Sequence, residues 1–69
     1  MPLTFARCGE INQIKKVGGQ EDTRRFLANL GFIVGSEVTV ISEFSGNLIV
    51  NIKNSRVAIN KEMAGKILI

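Results

Sequence analysis

The hydrophobic positions of this chain change period at one place, the segment "LANLGFIVGSEVTVI". Upstream of it, Thr23, Phe26, Leu27 and Leu30 recur at i, i+3, i+4 and i+7, a spacing that confines them to one stripe of a helical wheel. The spacing predicts a short amphipathic helix ending at Leu30. Glu21 and Asp22 fall in its first turn, where the helix dipole favours carboxylates, and Gly31 stands where a left-handed C′ residue is expected. A residue with a β-carbon would cost about 1 kcal/mol or more there. Phe32 is expected to fold back onto the helix. Gly35, between Val34 and Ser36, suits the third position of a type II turn, which also needs positive φ. The two glycines therefore read as fold-critical turns.

Beyond Gly35 the period is two. "EVTVIS" sets Val38 and Val40 against Glu37 and Thr39, "NLIVNIKN" alternates Leu48, Val50 and Ile52, and "SRVAIN" alternates Val57 with Ile59. "EFSGN" and "KNS" are short enough, and polar enough, to turn three half-buried strands into two antiparallel hairpins. "NKEMAG" leaves room for one helical turn, and "KILI" reads as a closing strand. At the front, Ile11, Ile14 and Val17 are three apart in an otherwise β-rich segment, which predicts a bend or bulge. Five strands with one short α-helix cannot cover an open sheet, so the pattern predicts a mainly β fold, a small five-stranded antiparallel barrel whose closure removes exposed edges.

Length adds a limit. With 69 residues and no repeat or linker, residues 1–69 read as a single domain with a compact core and no deep cleft. No apolar run approaches the roughly 18 residues of a membrane span, and "MPLTFARCGE" lacks the apolar stretch of a signal peptide. A cytoplasmic, free-standing protein is the expectation. One cysteine and no histidine fit a reducing compartment and remove most transition-metal chemistry. A net charge of +3 permits attraction to acidic partners without requiring nucleic acid.

Candidate chemistry is sparse. No Ser-His or Cys-His pair exists, so no catalytic residue is assigned; Cys8, beside Arg7, reads as a small hydrophobe near the start of a strand. Glu21 and Asp22 adjoin but point in different directions on a helix, so no metal residue or cofactor is assigned either. "VGGQ" lacks the Gly-Lys-Ser/Thr ending of a phosphate loop and reads as a strand-to-helix connection. A small basic barrel invites a nucleic-acid reading, but Trp and Tyr are absent, and Phe26 and Phe32 are assigned to the helix and its cap. Lys15 and Lys16 would point to opposite sheet faces. What remains is a possible partner surface. Arg24 and Arg25, with Glu21 at i−3 and i−4, read either as a solvated helix face or as partner-facing arginines of the kind that stabilise charge on a transferring phosphoryl group. Phe44, in the turn-rich "SEFSGN", either folds over the barrel mouth or docks a partner.

The segments "RRFLANLGFIVGSEVTVI" and "RVAINKEMAGKILI" together resemble the FeoA family, the small cytosolic component of bacterial ferrous-iron uptake. The resemblance covers nearly the full chain. It implies an SH3-like barrel, and association with FeoB, a membrane ferrous-iron transporter carrying a cytosolic GTP-binding domain. Gly31 and Gly35 match as fold residues, whereas Val34 stands where family members commonly have proline. The resemblance supplies no catalytic or metal residue, so any link to iron is indirect. On such a barrel an exposed Phe44 and the apolar "ILI" end leave weak self-association open. Two other readings stay beside the resemblance: a small-barrel nucleic-acid-binding module, and a free-standing relative of the SH3-like domain of DtxR-type iron-dependent repressors.

Overall fold

Local chain preferences already dictate where the helix stops and the sheet begins. The computed structural model, which describes residues 1–69, places α1 at Glu21–Leu30. Gly31 follows in the left-handed conformation at φ 109°, its N–H shared between the carbonyls of Ala28 and Leu27. The Phe32 N–H then donates to Leu27 O at 2.9 Å, which draws the Phe32 ring into the core at 1% exposure. Ser36 N donates to Ile33 O across a turn whose third residue, Gly35, has φ 92°. Of the helical stripe, Leu27 is fully buried while Thr23 and Leu30 are half-buried. Phe26 departs from the expectation: it is 48% exposed. The helix lies along one side of a small barrel, and its position 26 is rotated off the face that meets the core.

The strands are β1 at Ile11–Gln13, β2 at Lys16–Val17, β3 at Glu37–Phe44, β4 at Asn47–Ile52, β5 at Ser55–Asn60 and β6 at Ile67–Leu68. They form two antiparallel sheets, one ordered β1-β3-β4-β5 and one ordered β2-β6. Six short strands thus replace the expected five, because the first strand breaks at Ile14-Lys15 and hands its chain from one sheet to the other. The break has a cause in the sequence. Ile14 is buried at 1% exposure and Val17 is half-buried against the same core, and two residues three apart cannot share one face of an unbroken strand of period two. The barrel is correspondingly not strictly closed.

Two parts of the fold escape the periodicity altogether. Leu3–Phe5 makes a 3-10 turn that buries Leu3 completely, and β3 carries a bulge between Val40 and Ser42 that leaves Ile41 38% exposed. The ends of the chain are tied together: Pro2 bridges to Leu68, Ile69 N donates to Met1 O at 2.7 Å, and the Met1 ammonium donates to Ile69 O at 3.0 Å. Between β5 and β6, Asn60 caps the single turn α2 at Lys61–Ala64 by accepting from Met63 N at 2.8 Å.

The core gathers Leu3, Ile14, Leu27, Phe32, Val38, Val40, Leu48, Val50, Ile52, Ile59, Ala64, Ile67 and Ile69 into one cluster, with no buried polar residue. Each large member contributes roughly 1.5–3 kcal/mol on removal from water. An interior of this kind has shape and no chemistry, so recognition falls to the surface.

Candidate functional site

Both hairpins turn through two residues with positive φ. Ser45 and Gly46, at 52° and 79°, join β3 to β4; Lys53 and Asn54, at 49° and 63°, join β4 to β5. Positive φ at both central residues is the type I′ geometry that matches strand twist. In the first hairpin Asn47 belongs to the strand, paired with Phe44, so the turn is narrower than the "EFSGN" link suggests.

Phe44 stands on the last rung before this turn and is 72% exposed. Of the two arrangements open to it, the structure shows the ring in solvent and not over the barrel mouth. Behind it, Lys61 pairs with Glu43, linking the hairpin to the start of α2. Arg24 and Arg25 are both exposed on α1. Arg25 donates to Glu21 Oε1 at 2.8 Å, one helical turn away, while Arg24 makes no ion pair. An exposed pair of this kind contributes a few tenths of a kcal/mol and leaves Arg24 uncommitted.

The arginines and Phe44 occupy separate elements. A β-carbon built on Gly31 would lie 3.3 Å from Ile52 and Lys53, so the C-terminal end of α1 abuts the Lys53-Asn54 turn. Phe44 lies at the other end of β4, roughly 17 Å away along a six-residue strand.

Two sequence readings need correction at this level. Cys8 is exposed, in a turn closed by Glu10 N donating to Arg7 O at 3.3 Å, and is not a small hydrophobe packed at a strand start. Phe26 is not fully spent on the helix cap and presents part of its ring to solvent. The lysine pair also sits differently: Lys15 lies in the bend and only Lys16 in β2, both exposed.

Phe5, an aromatic that the sequence leaves without a packing assignment, is exposed, and so are Ile11, Ile33 and Val34, which the pattern did not single out. The signal for Ile11 was present, in the spacing of three that sends Ile14 inward and so turns Ile11 out. Ile11 also borders a shallow depression of about 390 Å³, lined in addition by Ser36, Glu37, Thr39, Asn51, Lys53 and Asn54. It holds one carboxylate and one ammonium group, and no buried side-chain nitrogen or oxygen lacks a partner. No three His, Cys, Asp or Glu side chains converge as metal ligands. No helix is long and apolar enough to cross a membrane.

This fold has recognisable counterparts. The FeoA domain family matches residues 1–69. A relative from Methanocaldococcus jannaschii, "Putative Fe(2+) transport protein A", is 34% identical over 68 residues, spanning 99% of this chain and 83% of that one. Among solved structures, the FeoA of Stenotrophomonas maltophilia, an SH3 domain protein complexed with zinc, superposes with a TM-score of 0.85 at 22% identity, covering 99% of this chain and 87% of that one. A manganese-dependent transcriptional repressor aligns at TM-score 0.86 and 23% identity, over 97% of this chain but only 39% of its own. At such identities these likenesses establish the fold, which is SH3-like. The full-length family match and the 34% identity carry the further step: the chain belongs to the FeoA family.

Proposed function

We propose that residues 1–69 act as one non-enzymatic accessory domain of ferrous-iron transport, binding the cytosolic GTP-binding part of a FeoB-type membrane transporter and modulating it. In this reading the protein is cytoplasmic and reaches the inner face of the membrane only through its partner. Family membership supplies the link to iron. The observation that carries the mode of action is the contrast between a wholly apolar core and Phe44, an aromatic left 72% exposed on a hairpin tip. Aromatic and arginine side chains are the residue types that anchor protein interfaces, and here Phe44 and the unpaired Arg24 have no internal packing duty.

The two contacts have different chemical duties. Arg24, with Arg25 beside it, offers fixed positive charge to the anionic nucleotide site of a GTPase, an effect that acts on encounter and on hydrolysis. Phe44 offers buried area, an effect that acts on dissociation. Pull-down and GTP-turnover measurements with the cognate transporter separate them. Arg24→Ala with Arg25→Ala is expected to weaken any stimulation of hydrolysis, and Phe44→Ala to raise the dissociation rate about tenfold. A folded triple variant that matches the parent protein in both measurements places the interface elsewhere.

A further inference from the structure

The sheet β1-β3-β4-β5 ends in two strands of very different character. β1 has three residues, and Asn12 and Gln13 fold their amides back onto the backbone carbonyls of Glu10 and Gly35. β5 has six residues and pairs with β4 rung for rung from Ile52–Ser55 to Asn47–Asn60, without a bulge.

Register fixes which backbone groups of β5 are free. A two-residue type I′ turn closes on a hydrogen-bonded pair, here Ile52 and Ser55, so Ser55, Val57 and Ile59 spend their N–H and C=O groups on β4. Arg56, Ala58 and Asn60 therefore turn theirs outward. The backbone groups of Arg56 and Ala58 and the Asn60 N–H make no turn, loop or cap contact, whereas the Asn60 C=O begins α2 as its N-cap; the side chains of all three residues are exposed. β5 carries no proline, no bulge and no inward-pointing charge, three of the devices that blunt an edge, and Arg56 is its one charged side chain.

From this we infer that the free edge of β5 is a self-association surface, pairing antiparallel with β5 of a second copy about a two-fold axis at Ala58. The occupant is set by self-complementarity. For all three outward residues to pair with one another, Ala58 must face Ala58 of the second copy, and Arg56 must face its Asn60. That register makes the rungs hydrogen-bonded pairs, joins two four-stranded sheets into one, and keeps exposed side chains on the same face. The arginines stay apart, because each meets an asparagine amide. Ala58, the smallest side chain on the strand, occupies the rung crossed by the axis. A single strand pairing stands at the small end of specific interfaces, below about 1,200 Å², so the dimer is weak and populated at high concentration. The surface is distinct from Phe44 and the helix arginines, and the inference does not rest on the transporter.

The test is amide hydrogen exchange and sedimentation of the intact chain between ~10 μM and ~1 mM, with the affinity expected from so small an interface. The expected result is concentration-dependent mass, with slowed exchange at the amides of Arg56, Ala58 and Asn60. Ala58→Lys sets two ammonium groups face to face on the axis while its side chain stays in solvent, and should weaken association at least tenfold. Ala58→Pro removes the central donor at an edge position that tolerates proline, and should abolish association with the circular dichroism of the parent retained. A chain that remains monomeric at ~1 mM overturns the inference, as does undiminished association of folded Ala58→Lys.

Discussion

The two hairpins share β4 and have the same turn geometry, yet one is built into the fold and the other projects from it. At the β4–β5 end, Lys53 and Asn54 take positive φ without a glycine, and the Lys53 methylenes lie over Gly31 at the end of α1. At the β3–β4 end, Ser45-Gly46 has glycine at the second position, nothing lies within 4 Å of where a Gly46 β-carbon would be, and Phe44 beside it is exposed. Packing holds the first turn, in which Lys53 takes a conformation that it does not favour. The second is held by its own backbone chemistry and, beside Phe44, by the exposed Glu43–Lys61 pair. A turn that holds itself together locally leaves its flanking side chains free for other use, which is why the aromatic is found there.

Breaking the packed end should cost most. Gly31→Val meets two penalties at once, a left-handed φ of 109° that a β-branched side chain resists and a β-carbon 3.3 Å from both Ile52 and Lys53. A loss of more than about 2 kcal/mol is expected, read as a lower urea midpoint with an unchanged slope. Gly46→Ala meets only the first penalty, at φ 79°, with open space around it. Its cost should be about 1 kcal/mol. If the two substitutions cost the same, the contact between the helix end and the Lys53 turn contributes nothing and the distinction between the hairpins fails.

How far this contrast is legible in the sequence follows from what each end depends on. "LGFIVG" announces itself because a helical stripe, a glycine and an apolar residue fall in an order that only a capped helix satisfies. The strands are equally plain where alternation is strict, as at Val38-Val40 and Leu48-Val50-Ile52. What is not legible is which helix positions meet the barrel. Phe26 and Leu27 both belong to the predicted stripe, and only the placement of the helix decides that one is buried and the other half in solvent. The 3-10 turn and the Val40/Ser42 bulge are invisible for the same reason, since each is a response to closing a barrel over a core and not to a local preference. At the candidate site, residue types pointed to Phe44 and the arginines, but which of them stays exposed and which is paired is decided by the fold.

A sharper measure of the packed turn comes from improving it. Asn54 at φ 63° tolerates the left-handed region better than most residues, yet glycine does so with no steric cost. Asn54→Gly should therefore stabilise by about 0.5 kcal/mol, the relief of backbone strain exceeding the added freedom of the unfolded chain. Thermal denaturation at fixed concentration checks this. A loss would mean that the turn is held mainly by its side chains.

The smallest effect on stability belongs to Phe44, and it is the most informative about function. Removing a core phenylalanine costs 3–5 kcal/mol in typical cases, because transfer and cavity terms add. Phe44 has neither term to lose: with 72% of it in solvent, and the Phe44–Asn47 rung held by backbone bonds, truncation leaves no cavity. Phe44→Ala is expected to change the unfolding free energy by less than about 0.5 kcal/mol. Solvent-exposed aromatic area of this size is a solubility cost that no folding gain offsets, so a neutral stability result combined with weaker capture by the transporter's cytosolic region assigns the ring to recognition. A loss above about 1 kcal/mol would instead mean that the ring packs on its own hairpin, across the rung onto Asn47 or diagonally onto half-buried Ile49, and the two hairpins would then differ in degree only.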